Sequence, residues 1–252
     1  MIKIAIVGCT GKLGSAIMQK ILNRNDVALQ YAIARDGNPA VGQDIAVVLG
    51  GQPRGITIIN DICEARDCDA FIDCTNANAF MHNNLPKYMQ IKKPVIIATT
   101  AFSESDKAEI TYLAEQVPVF MTGNFSISLH DFIETLKFFA SKIHLDTDVQ
   151  IVEYHHNQKM DAPSGTAIMI RDALLQANPI LSENKMNICS VRGGNIFGEH
   201  EVIFANNNDE VITFKHQVSS RETFADGAIK ATVWTAGQGA GLYNMDHFCA
   251  QK

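Results

Sequence analysis

Residues 153–167 read EYHHNQKMDAPSGTA, and this short run collects side chains with complementary chemistry. His155 and His156 are adjacent rings that titrate near neutral pH. Lys159 adds a cation just beyond them. Ser164-Gly165-Thr166 sits where a helix starts, and a helix start offers free N–H groups and hydroxyls that favour a carboxylate or phosphate. Together they supply an acid near neutral pH, further cationic donors and an anion cradle, which suits a small anionic substrate. If the preceding strand runs to its end, the two histidines point to opposite faces and do different jobs. Taken singly, each residue has a plainer reading: surface histidines or zinc ligands, a solvated lysine, a simple helix cap. Zinc is disfavoured because no third Cys or His is nearby, so no metal is expected. Asp161 reads as structural, and His82, His130, His144, His200, His216 and His247 stand alone.

A second stretch, Gly8-Cys9-Thr10-Gly11-Lys12-Leu13-Gly14, follows an apolar strand (Ile2 to Val7) and opens a helix. Glycines there let the backbone turn tightly and approach a pyrophosphate, whose charge the helix N-terminus favours. The spacing is G-x-x-G-x-x-G rather than G-x-G-x-x-G, and an ordinary strand-to-helix turn is the alternative.

These stretches need elements to hold them. Short apolar strands at 27–34, 70–74, 94–98 and 117–121 alternate with helical candidates at 15–22, 76–91 and 103–116. Strands apolar on both faces and separated by helices predict a parallel sheet covered on both sides. The pattern then changes. Leu129, Phe132, Ile133, Leu136, Phe139, Ala140 and Ile143 recur at helical spacing. A strand at 148–156, a helix ending before Asn178-Pro179, strands at 201–205 and 210–218 and a last helix from Arg221 complete the chain. These patterns predict an α/β chain, with a covered parallel sheet first and a second domain that is an open sheet with helices.

The chain has 252 residues, a formal net charge of −6 and 46% hydrophobic residues. It carries no long basic run, so nucleic acid and anionic membrane are poor partners. No apolar stretch is long enough to span a bilayer. The six cysteines form no Cys-x-x-Cys pair, a usage that suits a reducing, cytoplasmic setting.

The stretch at 153–167 resembles the signature of the dihydrodipicolinate (4-hydroxy-tetrahydrodipicolinate) reductase family, written roughly E-x-H-H-x-x-K-x-D-x-P-S-G-T-A. The likeness extends through FIDCT at 71–75, ATT at 98–100, GNFS at 123–126 and SSRETFADGA at 219–228. It implies an enzyme of lysine and diaminopimelate biosynthesis that reduces a cyclic imine dicarboxylate with NADH or NADPH. It also implies an N-terminal Rossmann-type parallel sheet with a second α+β domain on an open mixed sheet, and a homotetramer built through the C-terminal sheets. The implied domains are 1–126 plus 221–252 for the dinucleotide and 127–220 for substrate and assembly. By resemblance His155 takes the general-acid position and Lys159 that of a second proton donor. His156, Lys159, Ser164, Gly165 and Thr166 fall where substrate carboxylates are held. The cofactor loops match Gly8, Cys9, Thr10, Gly11, Lys12 and Leu13, then Arg35, then Ala98, Thr99 and Thr100, then Thr122, Gly123, Asn124 and Phe125. Two departures stand out. Ala98 and Ala101 replace glycines of a G-T-T-G loop, and Ala34 stands where the family often has an acid. With Arg35 next in the chain, NADPH is expected to serve at least as well as NADH.

Two other classes compete. A semialdehyde dehydrogenase needs a nucleophilic cysteine at a helix start in the second domain, whereas Cys189 lies in a strand-like stretch. A non-catalytic nucleotide sensor has no use for an acid, a lysine and an anion cradle in one segment.

Overall fold

The computed structural model describes residues 1–143, 147–181 and 186–251; His144 lies outside them. The chain divides into two compact units, Met1–Phe125 with Glu222–Lys252, and Ser126–Arg221.

In the first unit, β1 (Ile2–Val7), β2 (Val27–Ile33), β3 (Ile58–Ile59), β4 (Ala70–Asp73), β5 (Val95–Ile97), β6 (Pro118–Met121) and β11 (Gly241–Tyr243) form one sheet. Its order is β11-β6-β5-β4-β1-β2-β3, and every pairing is parallel. Ile4, Ala5, Ile6, Phe71, Ile72, Val95 and Ile96 are fully buried, because a parallel sheet is covered on both faces. The covering helices are α1 (Lys12–Ile21), α2 (Ile45–Val48), α3 (Ala77–Ala79), α4 (Leu85–Ile91), α5 (Glu104–Ala114), α8 (Glu222–Thr235) and α9 (Met245–Cys249). The helical segment expected at 76–91 is broken by a π-helical turn at Phe80–Asn84. Strand order reverses between β1 and β4, and open α/β sheets bind ligands outside the strand ends at such a switch point.

In the second unit, β7 (Asp148–His155), β8 (Met186–Arg192), β9 (Gly198–Ala205) and β10 (Val211–Val218) form a mixed sheet of order β10-β9-β7-β8. Helices α6 (Ile127–Ala140) and α7 (Gly165–Ala177) pack on one face. Leu129, Ile133 and Leu136 from α6 and Ile170 and Leu174 from α7 meet Val149, Ile151, Val202 and Phe204 of the sheet. Burial alternates along β7, so Val149, Ile151, Glu153 and His155 share this covered face. The face is apolar at one end and changes to Glu153, His155 and His200 at the other. Among the described residues, no helix is long and apolar enough to cross a membrane.

Candidate active site

The polar end of the second unit's sheet is built around Glu153, which is fully buried. A carboxylate there requires partners for both oxygens. Oε1 accepts from Arg192 Nη2 at 2.8 Å and from the Ser164 amide at 3.2 Å. Oε2 accepts from Arg192 Nη1 at 2.9 Å and meets His155 Nδ1 at 2.5 Å. Register explains the assembly, since β7–β8 pairing sets His155 beside Arg192 and β7–β9 pairing sets Glu153 beside His200. Burial alone would raise the Glu153 carboxyl, but the hydrogen bonds from Arg192, Ser190 and His155 outweigh it and hold it at about 2. Glu153 is therefore ionised at neutral pH and can only accept, so His155 Nδ1 is the protonated nitrogen in this pair.

His155 closes β7, and the strand does not continue to His156. Burial pulls the His155 pKa down while Glu153 pushes back. The opposite edge of the ring lies against Gly198, where a Cβ would come 3.2 Å from Nε2. His200, which looks isolated in the sequence, packs its ring 5.4 Å from that of His155 and places Nε2 3.4 Å from Ser164 Oγ. Burial first, then neighbouring charge on His155 and His216, brings His200 down to about 3, so it is a neutral ring.

The loop after β7 carries the cation. Lys159 Nζ reaches Asp161 Oδ1 at 2.8 Å, and Arg192 Nη2 donates to the Asp161 carbonyl at 2.6 Å. Arg192 thus ties the lysine loop to the same carboxylate that holds His155. The N-cap of α7 is Ser164, whose Oγ accepts from Ala167 N. Ser164 is buried and committed to the fold by its amide and hydroxyl. Gly165 is exposed, and a Cβ on it would meet nothing within 4 Å. The first-turn amide of Gly165 has no acceptor inside the helix, so an anion has room and a donor there, and half-buried Thr166 follows it in the same turn. His156 is half-buried, and its Nδ1 has no hydrogen-bond partner among the described residues.

In the first unit the glycine turn is sterically obligatory. Gly8 has φ +81°, and a Cβ on it would stand 2.8 Å from the Cys74 carbonyl oxygen. A Cβ on Gly14 would stand 2.4 Å from the Gly8 oxygen. Cys9 is spent inside the turn: its amide donates to Ile33 O at 3.1 Å, its carbonyl accepts from Ser15 Oγ, and burial pushes its thiol up to about 11. Lys12 and Leu13 are the first residues of α1, whose N-terminal amides have no acceptor within the helix. A cleft of about 480 Å³ opens beside the turn, lined by Gly8, Arg35, Asp36, Asn60, Thr75 and His82 among others. Arg35 is exposed, whereas Asp36 is held by Asn60 Nδ2 at 2.9 Å. The Thr75 wall is fixed by fully buried Asp73, which accepts from the Thr75 hydroxyl and amide, Tyr88 OH and Asn84 Nδ2. Burial raises the Asp73 carboxyl.

The β5 and β6 loops share this carboxyl edge of the sheet. Ala98 N donates to Asp73 O at 2.9 Å, and Thr99 Oγ1 is buried with no partner among the described residues. Thr100 is exposed, and Ala101 has φ +66°. Thr122 Oγ1 accepts from Asn124 N, which closes the Thr122-Gly123-Asn124 turn, and Phe125 is buried against Phe120. Gly227 of α8 must lack a side chain, because a Cβ would overlap the Phe125 carbonyl. A backbone cradle that excludes side chains, free helix-start amides and an orphaned buried hydroxyl fit a dinucleotide.

A parallel sheet with a glycine cradle at its switch point, joined to a second unit with a buried histidine–carboxylate pair, is the build of a nicotinamide-dependent oxidoreductase. The fold is shared with an amine dehydrogenase from Mycobacterium smegmatis (TM-score 0.65, 14% identity, 97% and 95% of the two chains). It is shared more fully with a dipicolinate-bound dihydrodipicolinate reductase from Paenisporosarcina sp. TG-14 (TM-score 0.74, 22% identity, 97% of each chain). The family described as dihydrodipicolinate reductase matches twice, its N-terminal part over residues 2–125 and its C-terminal part over residues 128–249. The chain belongs to the dihydrodipicolinate reductase family. The 4-hydroxy-tetrahydrodipicolinate reductase of Caldanaerobacter subterraneus subsp. tengcongensis is 36% identical over 261 residues, covering 98% of this chain and 97% of that protein. The reductase of the same name from Roseobacter denitrificans is 33% identical over 264 residues, with 96% and 95% covered.

Proposed function

We propose that the protein reduces 4-hydroxy-tetrahydrodipicolinate to tetrahydrodipicolinate, on the route to lysine and diaminopimelate. The observation that carries this reading is the His155 ring anchored on buried Glu153, with Lys159 in the next loop and the α7 start following. The bound nicotinamide supplies the hydride. His155 supplies a proton from Nε2, the nitrogen not engaged by Glu153, and Lys159 offsets charge on the reduced ring or donates in its turn. The substrate's two carboxylates call for more than one anion site. The amides of Gly165 and Thr166 take one, helped by the Thr166 hydroxyl, and Lys159 and His156 serve the other. Ser164 shapes this cradle rather than facing the ligand.

The cofactor would be held by Thr10, Gly11, Lys12 and Leu13 at the phosphates, with Gly8 and Cys9 shaping the turn, and by Arg35 at the adenosine end. Ala98, Thr99 and Thr100, with the Thr122–Phe125 turn, would serve its nicotinamide end. Arg35 with no acid at Ala34 favours NADPH over NADH. Residues 1–126 with 221–252 would form the cofactor domain, and 127–220 the substrate domain. The second domain would also assemble a homotetramer, for which exposed Val191, Val211 and Ile212 on edge strands β8 and β10 offer apolar surface. A cytoplasmic location accords with six free thiols. The test follows loss of reduced-nicotinamide absorbance on adding the cyclic substrate. His155→Ala and Lys159→Ala should each lower kcat by ~10²–10³ with cofactor affinity nearly intact. Near-normal turnover in both variants refutes the assignment.

A further inference from the structure

Resting on the reading of His155 as proton donor, we propose that Glu153 and Arg192 are positioning residues for the reduction. Together they fix the tautomer of His155, give its protonated form a permanent counter-charge, and hold the Lys159 loop in place. The geometry is specific. Glu153 is buried with all its acceptor directions engaged, and one oxygen faces His155 Nδ1. Arg192 meets the carboxylate with both terminal nitrogens, at 2.8 and 2.9 Å, a fork-to-fork pair that no other cation could reproduce. It also donates to the Asp161 carbonyl, so both proton-bearing side chains depend on one guanidinium.

The arrangement decides where the proton sits. Because Arg192 keeps Glu153 ionised, the carboxylate does not take the proton that His155 must deliver. Nδ1 stays protonated throughout, the Nε2–H bond breaks, and the proton moves to the reduced substrate. The ring is left as the neutral Nδ1–H form, and Nε2 regains a proton from solvent. Other groups face this ring. Lys159 from the loop opposes its protonation, as does Arg192 from β8, while Asp161 partly offsets Lys159. His200 from β9 is held neutral by burial, and His216 from β10 acts on His200 rather than on His155. Glu153 is the only anion in direct contact with the ring among the described residues.

The experiment compares the pH dependence of kcat for wild type and Glu153→Gln, with KM and cofactor affinity measured alongside. A glutamine keeps the volume but removes the counter-charge, and its NH₂ can donate to Nδ1 and reverse the tautomer. The limb on which kcat falls with rising pH should move to lower pH by about 1 unit or more. KM is read separately, because Glu153 also accepts from the Ser164 amide at the start of α7, so the position of the limb and not KM carries the test. A uniform loss of kcat with the limb unmoved would show a merely structural role and overturn the proposal. Imidazole ¹⁵N shifts of the wild type give an answer that needs neither a folded variant nor turnover. Neutral His155 protonated at Nδ1 supports the proposal, and protonated at Nε2 overturns it. An inactive wild type with the Nδ1–H tautomer would instead refute the proposed substrate and leave the positioning intact.

Discussion

Replacing Gly198 by alanine should slow the enzyme without weakening its fold. A methyl at this position of β9 would lie 3.2 Å from His155 Nε2 and 3.6 Å from its Cδ2. The first contact is tighter than a relaxed one by a few tenths of an ångström, and the ring must yield because Gly198 is held in its strand by pairing to Val218. His155 cannot slide freely, since Nδ1 is fixed to Glu153, so it tilts and carries Nε2 with it. A misplacement of about 1 Å costs on the order of 10²-fold in rate, so a shift of about 0.3 Å should lower kcat by roughly fourfold. Stability should hold or rise, because glycine inside a strand costs about 0.5–1 kcal/mol relative to alanine. Steady-state turnover with saturating cofactor, paired with a thermal melt, separates the two effects. Gly198→Ser should be slower still, because its hydroxyl can donate to Nε2 and occupy the lone pair. An alanine variant that is as stable as wild type and turns over at the same rate would show that Nε2 is not the proton-delivering atom. A variant that loses rate only in proportion to lost folded protein would refute the reasoning equally.

Arg35→Ala should lose roughly tenfold or more in kcat/KM with NADPH and much less with NADH, as expected for one lost charged contact to the 2′-phosphate; equal losses would show that Arg35 does not read it. Ala101→Gly should raise the melting temperature, because an L-residue in the left-handed region (φ +66°) costs about 1–2 kcal/mol, partly offset by glycine's extra chain entropy. A lowered melting temperature would show that the methyl group makes compensating contacts. His200 has a folded pKa of about 3, below its unfolded value, so the stability it contributes is present above about pH 6.5 and is lost as pH falls toward 3. Urea unfolding at pH 7 and pH 5 should show wild type losing up to about 1.4 kcal/mol per pH unit from this group, and His200→Gln should flatten that slope.

The sequence revealed what local spacing encodes and missed what strand register creates. The Gly8–Gly14 turn, the Ser164 cap and the alternation of β7 depend on neighbours within a few residues, and each is found where its pattern points. The parallel sheet was equally legible, because continuous apolar strands separated by helices leave few other arrangements. The short strands β3 and β11 and the π-helical turn at Phe80–Asn84 were not, since so few residues carry no period. Glu153 opens the very stretch that drew attention to His155, and its place two residues earlier puts it on the same face of a strand. That clue is local but insufficient, because a carboxylate on a buried face makes sense only once its partner is known. The partner, Arg192, is 39 residues away, and His200 comes from a third strand. Nothing in the spacing of either announces a role, and only the pairing of β7 with β8 and β9 gives them one. The same limit explains Cys9. Its position in the glycine turn is legible, whereas the bonds of its amide and carbonyl to Ile33 and Ser15 come only from the fold. A motif therefore identifies a candidate segment, and the sheet decides which of its members are buried against one another and which stay exposed.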